Sequence, residues 1–226
     1  MELPSTKAIT ETIEQYLTTI DSENNNVEIG FFGGNFTGLP LNEQENYLKT
    51  VQPYFKRGVI QGIRLSTRPD YINENILELL KIYNVSSIEL GAQSMDNKTL
   101  RLSGRGHTSE DIIKASELIK KHGFLLGLQI MLGLPGDTLE KSVNTAKAIV
   151  ALGADNTRIY PTLVIKDTEL EKLFMEKKYF PLWAQEGKLL GQTQNLKMWI
   201  DIGTIEAYRA ANRLVEKILP PPQNHK

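Results

Sequence analysis

The chain of 226 residues contains no cysteine. This excludes disulfides, thiolate zinc sites, cysteine nucleophiles and iron–sulfur clusters held by the chain's own thiolates. Histidine is nearly as scarce. His107, His122 and His225 are the only three, too few for a histidine-rich metal centre. No apolar run reaches the roughly 18–20 residues that cross a bilayer. The opening "MELPSTKAITETIEQYL" lacks the basic-then-apolar layout of a secretory leader. A cytoplasmic location with no membrane partner is the expectation. Net charge is −1, so no global field draws the chain to nucleic acid or an anionic surface.

What is present is a rhythm. Apolar, β-branched blocks recur at residues 27–32, 58–66, 86–92, 124–132 and 156–165. Helix-patterned segments alternate with them: "STKAITETIEQYL", "NEQENYLKTVQPYF", "NENILELLKIY", "TSEDIIKASELIKKHG" and "DTLEKSVNTAKAIVALG". About five strand–helix repeats predict an α/β architecture with parallel strands. The loops after the strands hold the unusual residues. They read "GGNFTG", "STRPD", "GAQSMDNKTLRLSGRGH" and "GLPGDT". In parallel sheets and barrels ligands bind at the carboxyl ends of strands, so these loops mark a site.

Each loop admits two readings. Gly33 and Gly34 give a ligand close access to main-chain groups, or simply make a tight turn. Asn35 follows them. Ser66 and Thr67 end a strand, Arg68 suits an anion or solvent, and Pro69 and Asp70 resemble helix-entry residues. Glu89 alternates with Ile88 and Leu90, so it points into a barrel interior and requires a partner. Gln93 offers an amide at the next strand end, and Arg105 lies twelve residues on. His107 reads as a loop or cap histidine. Gln129 interrupts an apolar strand, and Asp137 or Thr138 caps the helix after it.

Taken in order, "FFGGNFTG", "IRLSTRPDYI", "IELGAQSMDNKTLRLSGRGHT", "LGLQIMLGLPGDT" and "RIYPTLVIKDTELEKLF" resemble the radical S-adenosylmethionine enzymes. The elongator catalytic subunit branch is nearer than the coproporphyrinogen dehydrogenases. The resemblance implies a partial TIM-like (β/α) barrel over residues 1–180, with its first strand missing. It implies that Gly33, Gly34 and Asn35 receive the amino group of S-adenosylmethionine. It gives Gln93, Arg105 and Gln129 to the ribose and carboxylate, with Ser66 and Glu89 lining the cavity. It also implies tRNA as a partner. Intact relatives hold a [4Fe-4S] cluster on a CxxxCxxC loop and generate a 5′-deoxyadenosyl radical. This chain has no such cysteines, so no cluster and only weak cofactor binding are expected. The strand at 27–32 is expected as an exposed edge that self-associates.

Residues 181–226 break the rhythm and form a helical appendage with a frayed end. "GKLLGQTQNLKMWIDIGTIEAYRAAN" resembles the end of sugar-1-phosphate nucleotidyltransferase domains. That likeness makes Asp201 a Mg2+ candidate, or else a helix-entry carboxylate. The chain then reads as two incomplete domains joined near 180–184. A non-catalytic binding module and a nucleotidyltransferase fragment are the alternative functions.

Overall fold

The computed structural model describes residues 3–20, 25–165 and 168–171. The expectations for the tail, Asp201 included, lie outside the described residues. The described chain opens with α1 (Thr6–Leu17), capped by Ser5, whose hydroxyl accepts from the Ala8 N–H. Then β1 (Glu28–Phe31), α2 (Leu41–Lys56), β2 (Gly62–Thr67), α3 (Glu74–Ile82) and β3 (Val85–Gln93) follow. After them come α4 (Asn97–Leu102), α5 (Ser109–Lys121), β4 (Leu125–Leu132), α6 (Leu139–Ala151), β5 (Asn156–Pro161) and the single turn α7 (Glu169–Glu171).

The five strands pair in chain order, all parallel. Each crossover carries a helix, as parallel pairing requires. The sheet curls into half of a TIM-like barrel. Strand alternation separates two faces. Ile63, Leu65, Ile88, Leu90, Leu126, Leu128 and Ile130 point outward and are almost fully buried. They meet Leu48 and Val51 of α2, Leu77 and Leu80 of α3, Ile112 and Ile119 of α5, and Ile149 of α6. Each such aliphatic side chain contributes about 1.5–3 kcal/mol by leaving water. The opposite, concave face carries Arg64, Ser66, Glu89, Gln129 and Arg158.

Local chemistry sets the helix starts. Asn73 caps α3, Asp96 caps α4 and Thr138 caps α6. Thr108 and Asp111 form a reciprocal capping box on α5. Pro69 and Asp70 do enter a helix, though a 3-10 one and not α3. They form a 3-10 turn, Pro69–Tyr71, and α3 begins after it at Glu74. The strand expected at 58–66 starts only at Gly62, because Gly58 (φ 70°) ends α2 and Val59 and Ile60 complete the turn. The last strand stops at Pro161 rather than 165. Helix α4 sits inside what reads as a loop, since its six residues are too few to show periodicity. Among the described residues nothing pairs with the outer edge of β1, so it is an edge strand.

Candidate functional site

The carboxyl ends of β1 to β4 surround a cavity of about 380 Å³. Gly33, Gly34, Asn35, Ser66, Gln93, Arg105 and Gln129 all line it, together with Arg68, Gly91 and His107. Seven of the eight residues expected at a cofactor site therefore converge. Glu89 does not. It lies two residues before Gly91 on the same concave face, outside the lining.

The glycines earn their place by geometry. Gly33 has φ 99°, where a side chain would be strained. An added Cβ at Gly33 or Gly34 would meet no protein atom within 4 Å, so the backbone there faces open space. At Gly91 an added Cβ would stand 2.8 Å from Gln93 Nε2. Glycine at 91 thus leaves room for the Gln93 amide.

Gln93 itself adopts φ 66° and is only 4% exposed. The β3–β4 register shifts between Leu90 and Gln93. Such non-glycine conformations cost about 1–3 kcal/mol and concentrate at binding sites. The bend brings Gln93 Oε1 within 3.5 Å of Gln129 Nε2, which donates to it. Gln129 thus finds a polar partner on the neighbouring strand, which explains its place in an apolar sequence.

Asn35 and Ser66 knit the rim. Asn35 Oδ1 accepts from Thr67 Oγ1 (2.6 Å) and from the Arg68 N–H (3.2 Å). The Thr37 and Thr67 hydroxyls also bond to each other. Ser66 Oγ donates to the Gly34 carbonyl at 3.4 Å. These bonds tie the glycine loop to the end of β2.

Two arginines differ in their pairing. Arg68 makes a bidentate pair with Asp70 (2.9 and 2.7 Å) and lies over the Tyr71 ring. Arg105 has no carboxylate partner among the described residues. Its one described side-chain contact is to Met131 Sδ at 3.8 Å. Burial, and then the charge of Arg68, push the Arg105 guanidinium below its ordinary value. The cavity therefore holds a half-buried, uncompensated cation that suits a carboxylate or other anion.

Glu89 finds the partner that its burial demands. It is 2% exposed and accepts from Arg64 (3.2 Å) and Arg158 (2.8 Å). Arg64 also reaches Glu28 at 3.6 Å, and Arg158 stacks on Phe32. This network ties β1, β2, β3 and β5 together beneath the cavity. On the far side of the glycine loop, Phe31, Phe32, Phe36, Leu39 and Tyr47 wall a second, apolar cavity of about 320 Å³.

His107 lies in the loop directly before the Thr108 cap, as expected, and its ring is buried against the Ala92 carbonyl, which the sequence did not show. The signal available was its position two residues after Arg105, in a loop following the longest strand.

The chain matches the family model of the radical SAM superfamily over residues 3–149. An uncharacterized protein of Methanocaldococcus jannaschii is 32% identical over 164 residues, which is 70% of this chain and 48% of that protein. The tRNA uridine(34) acetyltransferase of Methanocaldococcus infernus is 35% identical over 125 residues, 54% of this chain and 23% of the enzyme. The chain thus spans half or less of the length of these relatives. The solved structure of archaeal Methanocaldococcus infernus Elp3, with residues 1–46 deleted, superposes with a TM-score of 0.65 at 26% identity. That match covers 77% of this chain and 45% of the other. Coproporphyrinogen III oxidase (HemN) of Escherichia coli shares the fold at TM-score 0.52 and 17% identity, over 92% of this chain and 46% of that one. With a family model matched over more than half its length and a half-barrel of the same kind, the chain belongs to the radical SAM superfamily.

Proposed function

We propose that this chain is the S-adenosylmethionine-binding core of an Elp3-like protein, and that it binds the cofactor without a cluster of its own. The observation that carries the reading is the cavity at the strand ends, where a guanidinium with no carboxylate partner among the described residues, two facing glutamines and a bare glycine backbone meet. Arg105 would hold the carboxylate of the cofactor, Gln93 and Gln129 its ribose hydroxyls, and the backbone at Gly33 and Gly34 its ammonium group. Asn35 and Ser66 keep that loop in place.

The cluster does not fit this chain. A [4Fe-4S] centre takes cysteine thiolates, and the sequence has none. Among the described residues no group of three His, Asp or Glu could hold a metal ion either. In a complete enzyme the cofactor supplies a 5′-deoxyadenosyl radical. The residues present here bind and orient, and they do no redox work.

Transfer RNA is the macromolecular partner we infer, from the relatives named as tRNA uridine(34) acetyltransferases. Titration calorimetry with S-adenosylmethionine tests the central reading. Binding that weakens at least tenfold in both Gln93→Ala and Gly34→Val supports it. A folded chain that releases no heat, or variants that bind as the wild type does, would refute it.

A further inference from the structure

Gly33 and Gly34 have no side chains to fix them, and their backbone faces open space. A loop of that kind receives a ligand well only if its neighbours hold it. On its carboxyl side Asn35 and Ser66 do so. On its amino side the β1–β2 ladder ends at Phe31, paired with Leu65. Phe32 is the first residue beyond the ladder and the last before the glycines.

Alternation puts Glu28, Gly30 and Phe32 on the concave face of the sheet. The Phe32 ring folds back over Gly30, where an added Cβ would stand 2.5 Å from a ring carbon. The guanidinium carbon of Arg158 lies 4.6 Å from the ring centroid, within cation–π range. Arg158 belongs to β5. Among the described residues β1 and β5 are the two outermost strands, so this contact spans the concave face from edge to edge. Glu89 aims Arg158, accepting from its Nη2 at 2.8 Å. Glu89 is buried on the central strand and is held in turn by Arg64. The contacts therefore run from Glu89 through Arg158 and Phe32 to Gly33. Neither Phe32 nor Arg158 lines the cofactor cavity.

We propose that Arg158 and Phe32 form a clasp that positions the Gly33–Gly34 loop before the ligand arrives. Both are positioning residues, and Glu89 acts through them. This rests on the reading of the cavity as a cofactor site. A loop ordered in advance avoids the ordering cost on binding, so the clasp raises affinity without touching the ligand.

Phe32→Leu is the discriminating variant. It removes the ring and changes no charge, and Phe32 is 45% exposed, so the fold should stand. Calorimetry should show affinity for S-adenosylmethionine reduced about 5- to 30-fold, the range of a partly desolvated cation–π contact. Phe32→Tyr keeps the ring and should bind within about threefold of the wild type. Arg158→Met should weaken binding to a similar degree as Phe32→Leu. The double variant should fall less than about twofold below the weaker single one, because the two residues act as one unit. Nitrogen-15 relaxation on the ligand-free chain reads the loop itself. Order parameters of the Gly33 and Gly34 amides should drop from about 0.85 toward about 0.6 in Phe32→Leu and recover in Phe32→Tyr.

Unchanged affinity or unchanged order parameters in Phe32→Leu would overturn the clasp and leave the cofactor reading standing. A lower melting temperature with wild-type affinity would do the same, since the contact would then be structural only. So would a Tyr variant as weak as the Leu variant, or fully additive losses in the double variant. If the wild type binds no S-adenosylmethionine, both the clasp and the cofactor reading fall.

Discussion

Replacing Arg105 with methionine separates stability from binding. Arg105 holds its charge partly out of water with no carboxylate partner among the described residues, beside a second guanidinium. Buried ions without partners cost free energy, and sites held ready for ligands are often locally unfavourable. Methionine keeps the length of the stem and the contact with Met131 but removes the charge. We expect the chain to become more stable by about 0.5–1 kcal/mol, since Arg105 is only half-buried and keeps some hydration. At about 2–4 °C per kcal/mol for a domain of this size, melting rises by about 1–4 °C. Ligand binding moves the other way. A hydrogen bond to a charged group contributes about 1.5–3 kcal/mol, so affinity for S-adenosylmethionine falls by about 10- to 150-fold. Urea unfolding and calorimetry on the same preparation measure the two effects. A variant destabilised by more than about 1 kcal/mol that binds normally would refute the reasoning, because Arg105 would then be a structural residue.

Other perturbations follow from the same contacts. Glu89→Leu leaves Arg158 without a carboxylate partner among the described residues and Arg64 with only its longer contact to Glu28. Their partial exposure softens the loss, so we expect about 2–3 kcal/mol of destabilisation, read by urea unfolding. Adding Arg158→Met should recover part of it, and strict additivity would contradict the network. For Asp96, burial pushes the carboxyl up, but the hydrogen bonds from Lys141 and Thr99 outweigh it and hold the group at about 2. The folded value lies below the unfolded 3.8, so this stability is present above the unfolded value and lost as pH falls toward 2. Acid titration of Asp96→Asn should show a shallower decline in that window, by about 1–2 kcal/mol after solvent screening. Gly34→Val should leave the melting temperature within about 2 °C, since its added carbons enter open cavity. The edge of β1, unpaired among the described residues, predicts concentration-dependent self-association in sedimentation experiments.

Much of this architecture is legible in the sequence because its signals are local and periodic. Thr108 and Asp111 announce the start of α5, and the alternation around Glu89 and Gln129 announces a polar concave face. What stays hidden depends on register. Nothing local says that the chain bends between Leu90 and Gln93, yet that bend brings the two glutamines together. Glu89 illustrates the converse. Its inward direction and its need for a partner follow from alternation. Its two arginine partners come from β2 and β5, and they hold it beneath the cavity rather than in its wall. His107 reads as a loop or cap histidine, which fixes its place in the chain and not its burial. Only the fold of the 103–108 loop places its ring against Ala92.

The most direct test is to titrate S-adenosylmethionine into the full chain twice, once iron-free and once after anaerobic treatment with iron and sulfide. Cofactor binding that is the same in both, with no bound iron and no broad charge-transfer absorption, is the predicted result. Binding that appears only with iron and sulfide, together with that absorption, would contradict the account.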